Sequence, residues 1–142
     1  MTNLLIVDSS ELIRNSLKGL LHGILGAENI RCVARLSHAL EAVRSHWPTL
    51  VVLDLHLADG NAIPRISAMK KMAPEIWIAV LTNDANEFNR IRCMRAGADW
   101  FFDKSTEFED LIEVVRHPPT LGETHANPDM TTPLRVEQGI SR

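Results

Sequence analysis

Four residues of the 142-residue chain, Asp8, Asp54, Thr82 and Lys104, each close a short apolar run: LLIVD, VVLD, AVLT and FFDK. Together they are two carboxylates, a hydroxyl and an ammonium. Two carboxylates attract a divalent cation such as Mg²⁺, which takes a few oxygen ligands and keeps waters. One carboxylate can act as a nucleophile toward phosphorus. The cation and the ammonium would neutralise the transferred oxygens, and the hydroxyl would hydrogen-bond one of them. Phosphoryl transfer asks mainly for positioning and charge stabilisation, which such a set supplies. Taken singly, each residue has a plainer reading: Asp8 and Asp54 as caps or turn formers, Thr82 as a β-branched strand residue, Lys104 as a solvated charge.

The set is meaningful only if the chain brings the four together. Apolar runs at residues 4–7, 31–36, 50–54, 77–81 and 100–102 predict five buried strands. Helical spacing falls between them: Ile13, Leu17, Leu20, Leu21 and Ile24, stopped at Gly26; Ala39, Leu40 and Val43, entered through Ser37 and stopped before Pro48; Ile63, Ile66 and Met69, with Pro64 in the first turn; Phe88, Ile91 and Met94, stopped at Gly97. Thr106-Glu107-Phe108-Glu109 has the pattern of a capping box before Leu111, Ile112 and Val115. Strands apolar on both faces, each followed by a helix, predict an α/β fold with a doubly wound five-stranded parallel sheet and five helices. In that architecture the functional edge is at the carboxyl ends of the strands, where all four residues fall.

Composition bounds the rest. A formal charge of −3, 45% apolar residues and 23% charged residues describe one ordinary globular domain. No apolar run is long enough to span a bilayer, no basic leader precedes the first strand, and no basic tract points to nucleic acid. Two cysteines, Cys32 and Cys93, fit a reducing cytoplasm. The six histidines have no metal-ligand spacing, and Cys93 reads as a small apolar residue. From Pro118 onward there are four of the seven prolines and no aromatic residue, so residues 1–117 are expected to form the domain and 118–142 a flexible tail.

The stretches LLIVDSSELIR, VVLDLHLADG, AVLTND and GADWFFDKS, with intervals of 46, 28 and 22 residues between the four chemical positions, resemble the receiver domain of bacterial two-component response regulators, a flavodoxin-like fold. The resemblance covers about residues 3–117. It implies that Asp54 is the phosphoacceptor for a phosphohistidine on a sensor histidine kinase or histidine phosphotransfer protein. Asp8, Asp54 and the His56 backbone carbonyl would hold Mg²⁺, with Thr82 and Lys104 touching phosphoryl oxygens. Phe101 would be an aromatic switch coupled to Thr82; plain core packing is its other reading. The downstream protein would bind the face made by the fourth helix, fifth strand and fifth helix. The domain would be a signalling phosphoacceptor, with only self-catalysed phosphotransfer and dephosphorylation as chemistry.

The chain departs from the family pattern at several points. Ser9 stands where a second acid is usual, so a metal ligand there would be a neutral oxygen and Mg²⁺ affinity lower. Glu11 compensates only if the loop bends back. Ala58 replaces a usual proline, Ala62 a glycine, and Asn83 a small residue beside the phosphoryl route. Ser105 replaces a proline often preceded by a cis bond, an isomer costing about 2.5–4 kcal/mol before serine. Ser9, Asn83 and Ser105 favour an alternative: a degenerate, never phosphorylated receiver acting as a constitutive protein-binding module. A small hydrolase or nucleotide-binding protein is a third reading, opposed by Asp8-Ser9-Ser10-Glu11, which is no phosphate-binding glycine loop.

Overall fold

A computed structural model describes residues 2–119. Five strands, β1 (Leu4–Val7), β2 (Ile30–Val33), β3 (Leu50–Leu53), β4 (Trp77–Thr82) and β5 (Trp100–Asp103), form one parallel sheet in the order β2-β1-β3-β4-β5. Five helices connect or follow them: α1 (Glu11–Leu25), α2 (Leu36–His46), α3 (Ile63–Met72), α4 (Glu87–Ala96) and α5 (Phe108–Arg116). The predicted doubly wound architecture is therefore the observed one.

Alternation along the strands divides the core between the two sheet faces. Leu5, Val7, Val51, Leu53, Ile78 and Val80 face α2, α3 and α4, where they meet Ala39, Val43, Ile66, Met69 and Cys93. Leu4, Ile6, Leu50, Val52, Ala79 and Leu81 face α1 and α5, where they meet Leu17, Leu21, Leu111 and Val115. Strands buried on both sides have no polar face, which explains the unbroken apolar runs. Trp77 and Trp100 pack at 5.5 Å between ring centroids beside the second cluster.

Local chemistry sets where the elements begin and end. Ser10 caps α1, its Oγ accepting the Ile13 N–H at 3.2 Å. Gly97 ends α4 with φ 118°, a left-handed conformation that Gly adopts without a Cβ penalty. Pro64 lies in the first turn of α3, as predicted, while the Asn61 side chain accepts the Ile63 N–H at 2.8 Å.

Three local expectations are corrected. The second strand ends at Val33 and not Leu36, because Leu36 opens α2. That helix is not entered through Ser37: the distant Asp59 carboxylate accepts the Leu36 N–H at 2.8 Å and the Ser37 N–H at 3.1 Å. The capping box at Thr106–Glu109 does not form. Glu107 occupies the N-cap position of α5, and its Oε1 instead accepts the Asp103 N–H at 2.8 Å. A short antiparallel hairpin, His56–Leu57 with Gly60–Asn61, follows β3 and was not anticipated. The predicted tail lies outside the described residues, except for its first two prolines. No helix among the described residues is long and apolar enough to cross a membrane.

Candidate functional site

The parallel ladder continues one residue past the strands and fixes the site. The Asp8 N–H donates to the Val33 carbonyl at 3.1 Å, the Asp54 N–H to Val7 at 3.0 Å, and the Lys104 N–H to Thr82 at 2.9 Å. Asp8, Asp54 and Lys104 thus leave the sheet at one edge, with Thr82 as the last residue of β4.

Lys104 joins both carboxylates. Its Nζ donates to Asp8 Oδ2 at 2.8 Å and to Asp54 Oδ2 at 3.0 Å. The three side chains are 8%, 4% and 13% exposed in the order Lys104, Asp8, Asp54, so solvent screens the group little. Desolvation, the largest single influence on Lys104, pulls its pKa down. The hydrogen bonds and charges of Asp8 and Asp54 together outweigh it, and the ammonium is held above its ordinary value.

The remaining oxygens are aimed by the backbone. Asp8 Oδ1 accepts the Ser10 N–H at 2.8 Å, and Asp54 Oδ1 accepts the Leu55 N–H at 2.7 Å. Arg14, from the first turns of α1, donates to the Asp8 carbonyl at 2.7 Å and ties helix to strand end. Because Ser10 caps α1, Asp8 is not consumed as a cap.

The other expected residues are placed less uniformly. Thr82 is buried, and its Oγ1 accepts the Asp84 N–H at 3.1 Å. The His56 side chain turns outward, with Nε2 2.8 Å from Asp84 Oδ2. Phe101 is half-buried against the core cluster on the α2–α4 face. Ser9 and Asn83 are exposed, and Glu11 is the exposed first residue of α1. The five described histidines are exposed; His125 lies outside the described residues. Burial pushes the Cys93 thiol up to about 12, against a smaller opposing effect of Arg92, so it stays protonated and apolar in character.

Sequence reasoning missed the residues that present Lys104. Asp103 Oδ1 accepts from the Ser105 hydroxyl at 2.7 Å and the Ser105 N–H at 2.9 Å. These two bonds, the hydroxyl first, hold the Asp103 carboxyl below its usual range. The Asp103-Lys104-Ser105 triplet carries the signature of an Asx turn, which was the available signal. No cis peptide bond occurs among the described residues, so Lys104–Ser105 is trans.

Two carboxylates sharing one ammonium leave a net negative charge at a polar, partly open edge. That donor set suits a hydrated hard cation held by one or two carboxylates, the usual mode for Mg²⁺. No group of three or more acidic, histidine or cysteine side chains with metal-binding geometry occurs among the described residues.

Comparison with known proteins gives concordant results. The family model described as the response regulator receiver domain matches residues 4–116. The response regulator protein VraR of Staphylococcus aureus is 25% identical over 131 residues, which are 92% of this chain and 62% of that protein. The chain therefore spans less than two thirds of the curated relatives it matches. A response regulator from Burkholderia pseudomallei, solved with a phosphorylated aspartic acid, a calcium ion and citrate, shares the fold at TM-score 0.74 and 22% identity. The match covers 82% of this chain and 68% of that one. A CheY-like receiver domain protein from Methanospirillum hungatei shares it at TM-score 0.71 and 24% identity, over 82% and 91% of the two chains.

Proposed function

The chain belongs to the response regulator receiver domain family, and on that footing we propose that it signals by accepting a phosphoryl group on Asp54 from a phosphohistidine donor. The observation that carries this reading is the Lys104 ammonium seated between the Asp8 and Asp54 carboxylates at 2.8 and 3.0 Å. It sets a cation beside the nucleophile, on a rigid strand edge, before any donor arrives.

In the reaction an Asp54 carboxylate oxygen attacks phosphorus. The bond to the donor imidazole nitrogen breaks, and its electron pair stays on the imidazole. Leu55 holds the other Asp54 oxygen, so the nucleophile points away from the backbone. Lys104 exchanges a carboxylate contact for a phosphoryl oxygen, and its raised pKa keeps it charged throughout. The Thr82 hydroxyl donates to another phosphoryl oxygen. Asp8, Asp54 and the His56 carbonyl are the groups that would hold Mg²⁺, which when bound neutralises the oxygens of the transferred group. The Burkholderia protein of the same fold, solved with a phosphorylated aspartic acid and a calcium ion, supports a phosphoacceptor that works with a divalent cation. Ser9 contributes no charge, so affinity for the cation is weaker than a third acid would give.

Phosphorylation adds about −1.5 to −2 charges at the strand edge. Phe101, between that edge and the α4 face, is the residue we assign to relay the change. The exposed side chains Phe88, at 68%, and Ile91, at 38%, make α4 the apolar part of the output face. Arg92 lies over the Phe88 ring at 5.3 Å and gives the patch a cationic rim. A partner protein binding the α4–β5–α5 surface fits this character. We assign residues 1–117 to the receiver and 118–142 to an appended segment.

The test is incubation with Mg²⁺ and acetyl phosphate followed by intact-mass measurement. Wild type should gain one phosphoryl group, and Asp54→Asn should gain none. Failure with this donor and with a panel of phosphohistidine proteins would overturn this reading and make a constitutive binding partner of a non-phosphorylated receiver the next object of search.

A further inference from the structure

Just outside the charged trio lies a second polar network that the phosphoacceptor reading leaves without a role. Strands β3 and β4 are neighbours, with Leu53 paired to Val80. That register puts Leu81 opposite Asp54 and Thr82 one residue beyond, and the residues two past Asp54 and Thr82, His56 and Asp84, meet at 2.8 Å. Asp84 is anchored at every polar position. Its N–H donates to Thr82 Oγ1 at 3.1 Å, its Oδ1 accepts from Asn86 Nδ2 at 3.1 Å, and its carbonyl accepts from Asn89 Nδ2 at 3.0 Å. Asn89 is itself buried, 7% exposed, and its N–H donates to Asn86 Oδ1 at 2.8 Å. A buried amide with its hydrogen bonds made is a fixed point, because breaking them strands a polar group in the core.

The hydroxyl of Thr82 is thus tied to a residue that is itself tied to the loop after Asp54. For Thr82 to move toward Asp54, Asp84 must either follow or release it. We propose that the His56–Asp84 bridge is a latch: it holds the 83–86 loop and the Thr82 hydroxyl in their resting position, making Asp84 a positioning residue that slows phosphorylation of Asp54. This rests on the phosphoacceptor reading above. The bridge is half exposed, at 58% and 47%, so water and salt weaken it. Exposed pairs of this kind shift an equilibrium by about 1.5- to 5-fold. That is a latch which biases the loop and still opens without a partner's help.

The full chain is compared with His56→Phe, which keeps a ring and removes the nitrogen, and His56→Gln, which keeps a donor. Asp84→Ala and the double variant His56→Phe with Asp84→Ala complete the cycle. None of these touches the His56 backbone carbonyl. Two quantities are read: amide hydrogen exchange around residues 83–86 in unphosphorylated protein, and the rate constant for mass gain with Mg²⁺ and acetyl phosphate. The latch requires His56→Phe to raise both by about 1.5- to 5-fold, His56→Gln to return toward wild type, and the double variant to be no faster than the faster single one. Unchanged exchange in His56→Phe, unchanged uptake despite raised exchange, or additive effects in the double variant would overturn it. If no protein, wild type included, gains mass, the phosphoacceptor reading fails, and the exchange comparison alone decides the latch.

Discussion

Lys104 is the residue on which the site's electrostatics turn. Removing a partner from a buried ion pair leaves uncompensated charge and costs about 3–5 kcal/mol. Lys104→Met leaves two carboxylates facing each other, so it should lower stability by about 3 kcal/mol at neutral pH. Added Mg²⁺ should recover part of that loss, read as the shift in urea midpoint with and without the ion. The pH dependence has a defined sign. The folded pKa of Lys104 lies above its unfolded value, after burial has opposed and the two carboxylates have overcompensated. Its contribution is complete below the unfolded value, about pH 10.4, and is lost as pH rises through the folded one. Urea midpoints of wild type should fall through that alkaline range, and Lys104→Met should lack that component. Asp8, Asp54, Thr82 and Lys104 were legible because residue type and strand-end position agree. Asp84 and Asn89 were not: their roles come from bonds to Thr82, His56 and Asn86 that depend on loop geometry.

At the level of elements, apolar periodicity gave the strands and helices because burial on both sheet faces leaves a strong pattern. The starts of α2 and α5 escaped it for different reasons: the distant Asp59 accepts the first N–H groups of α2, while α5 begins without a side-chain cap, the Glu107 carboxylate accepting from Asp103 instead. Asp59 is held below the usual carboxylate range first by the Leu36 N–H; desolvation opposes this, and the Ser37 N–H and the Arg35 charge add to the lowering. A lowered pKa means that its stabilisation is present above the unfolded value, about 3.9, and is lost as pH falls through the folded one. Protection of the Leu36 and Ser37 amides, the intrinsic exchange rate divided by the observed rate at the same pH, should therefore fall on acidification toward pH 3, and Asp59→Ala should show the lowered protection already at pH 6. Helix α1 carries a different signal. Gly19 and Gly23 lie in its interior, and a Cβ at either meets nothing within 4 Å. Replacing each by Ala should raise stability by about 0.5–1 kcal/mol, measured by urea denaturation. A loss instead would mean that the open space is filled in solution.

The whole molecule is two cores separated by a sheet one strand thick. Leu21 belongs to the α1–α5 side and Ile66 to the α2–α4 side. Leu21→Ala should cost about 3 kcal/mol and Ile66→Val about 1 kcal/mol. With no shared cavity, the double variant should show their sum within about 0.5 kcal/mol. Departure from additivity in denaturation measurements would mean that the sheet transmits packing changes from one side to the other.

The pairing of Lys104 with Asp8 spans 96 residues of sequence, and that with Asp54 spans 50. On a ribosome, both carboxylates emerge long before their ammonium. Strands β1 to β4 can assemble as synthesis proceeds, but the nascent domain then carries two like charges on one edge without the ammonium that joins them. Only when β5 clears the exit tunnel does that repulsion end. The functional edge is thus the last part of the domain to become electrostatically whole, so a chain stalled before Lys104 can hold most of the sheet and none of the poised charge.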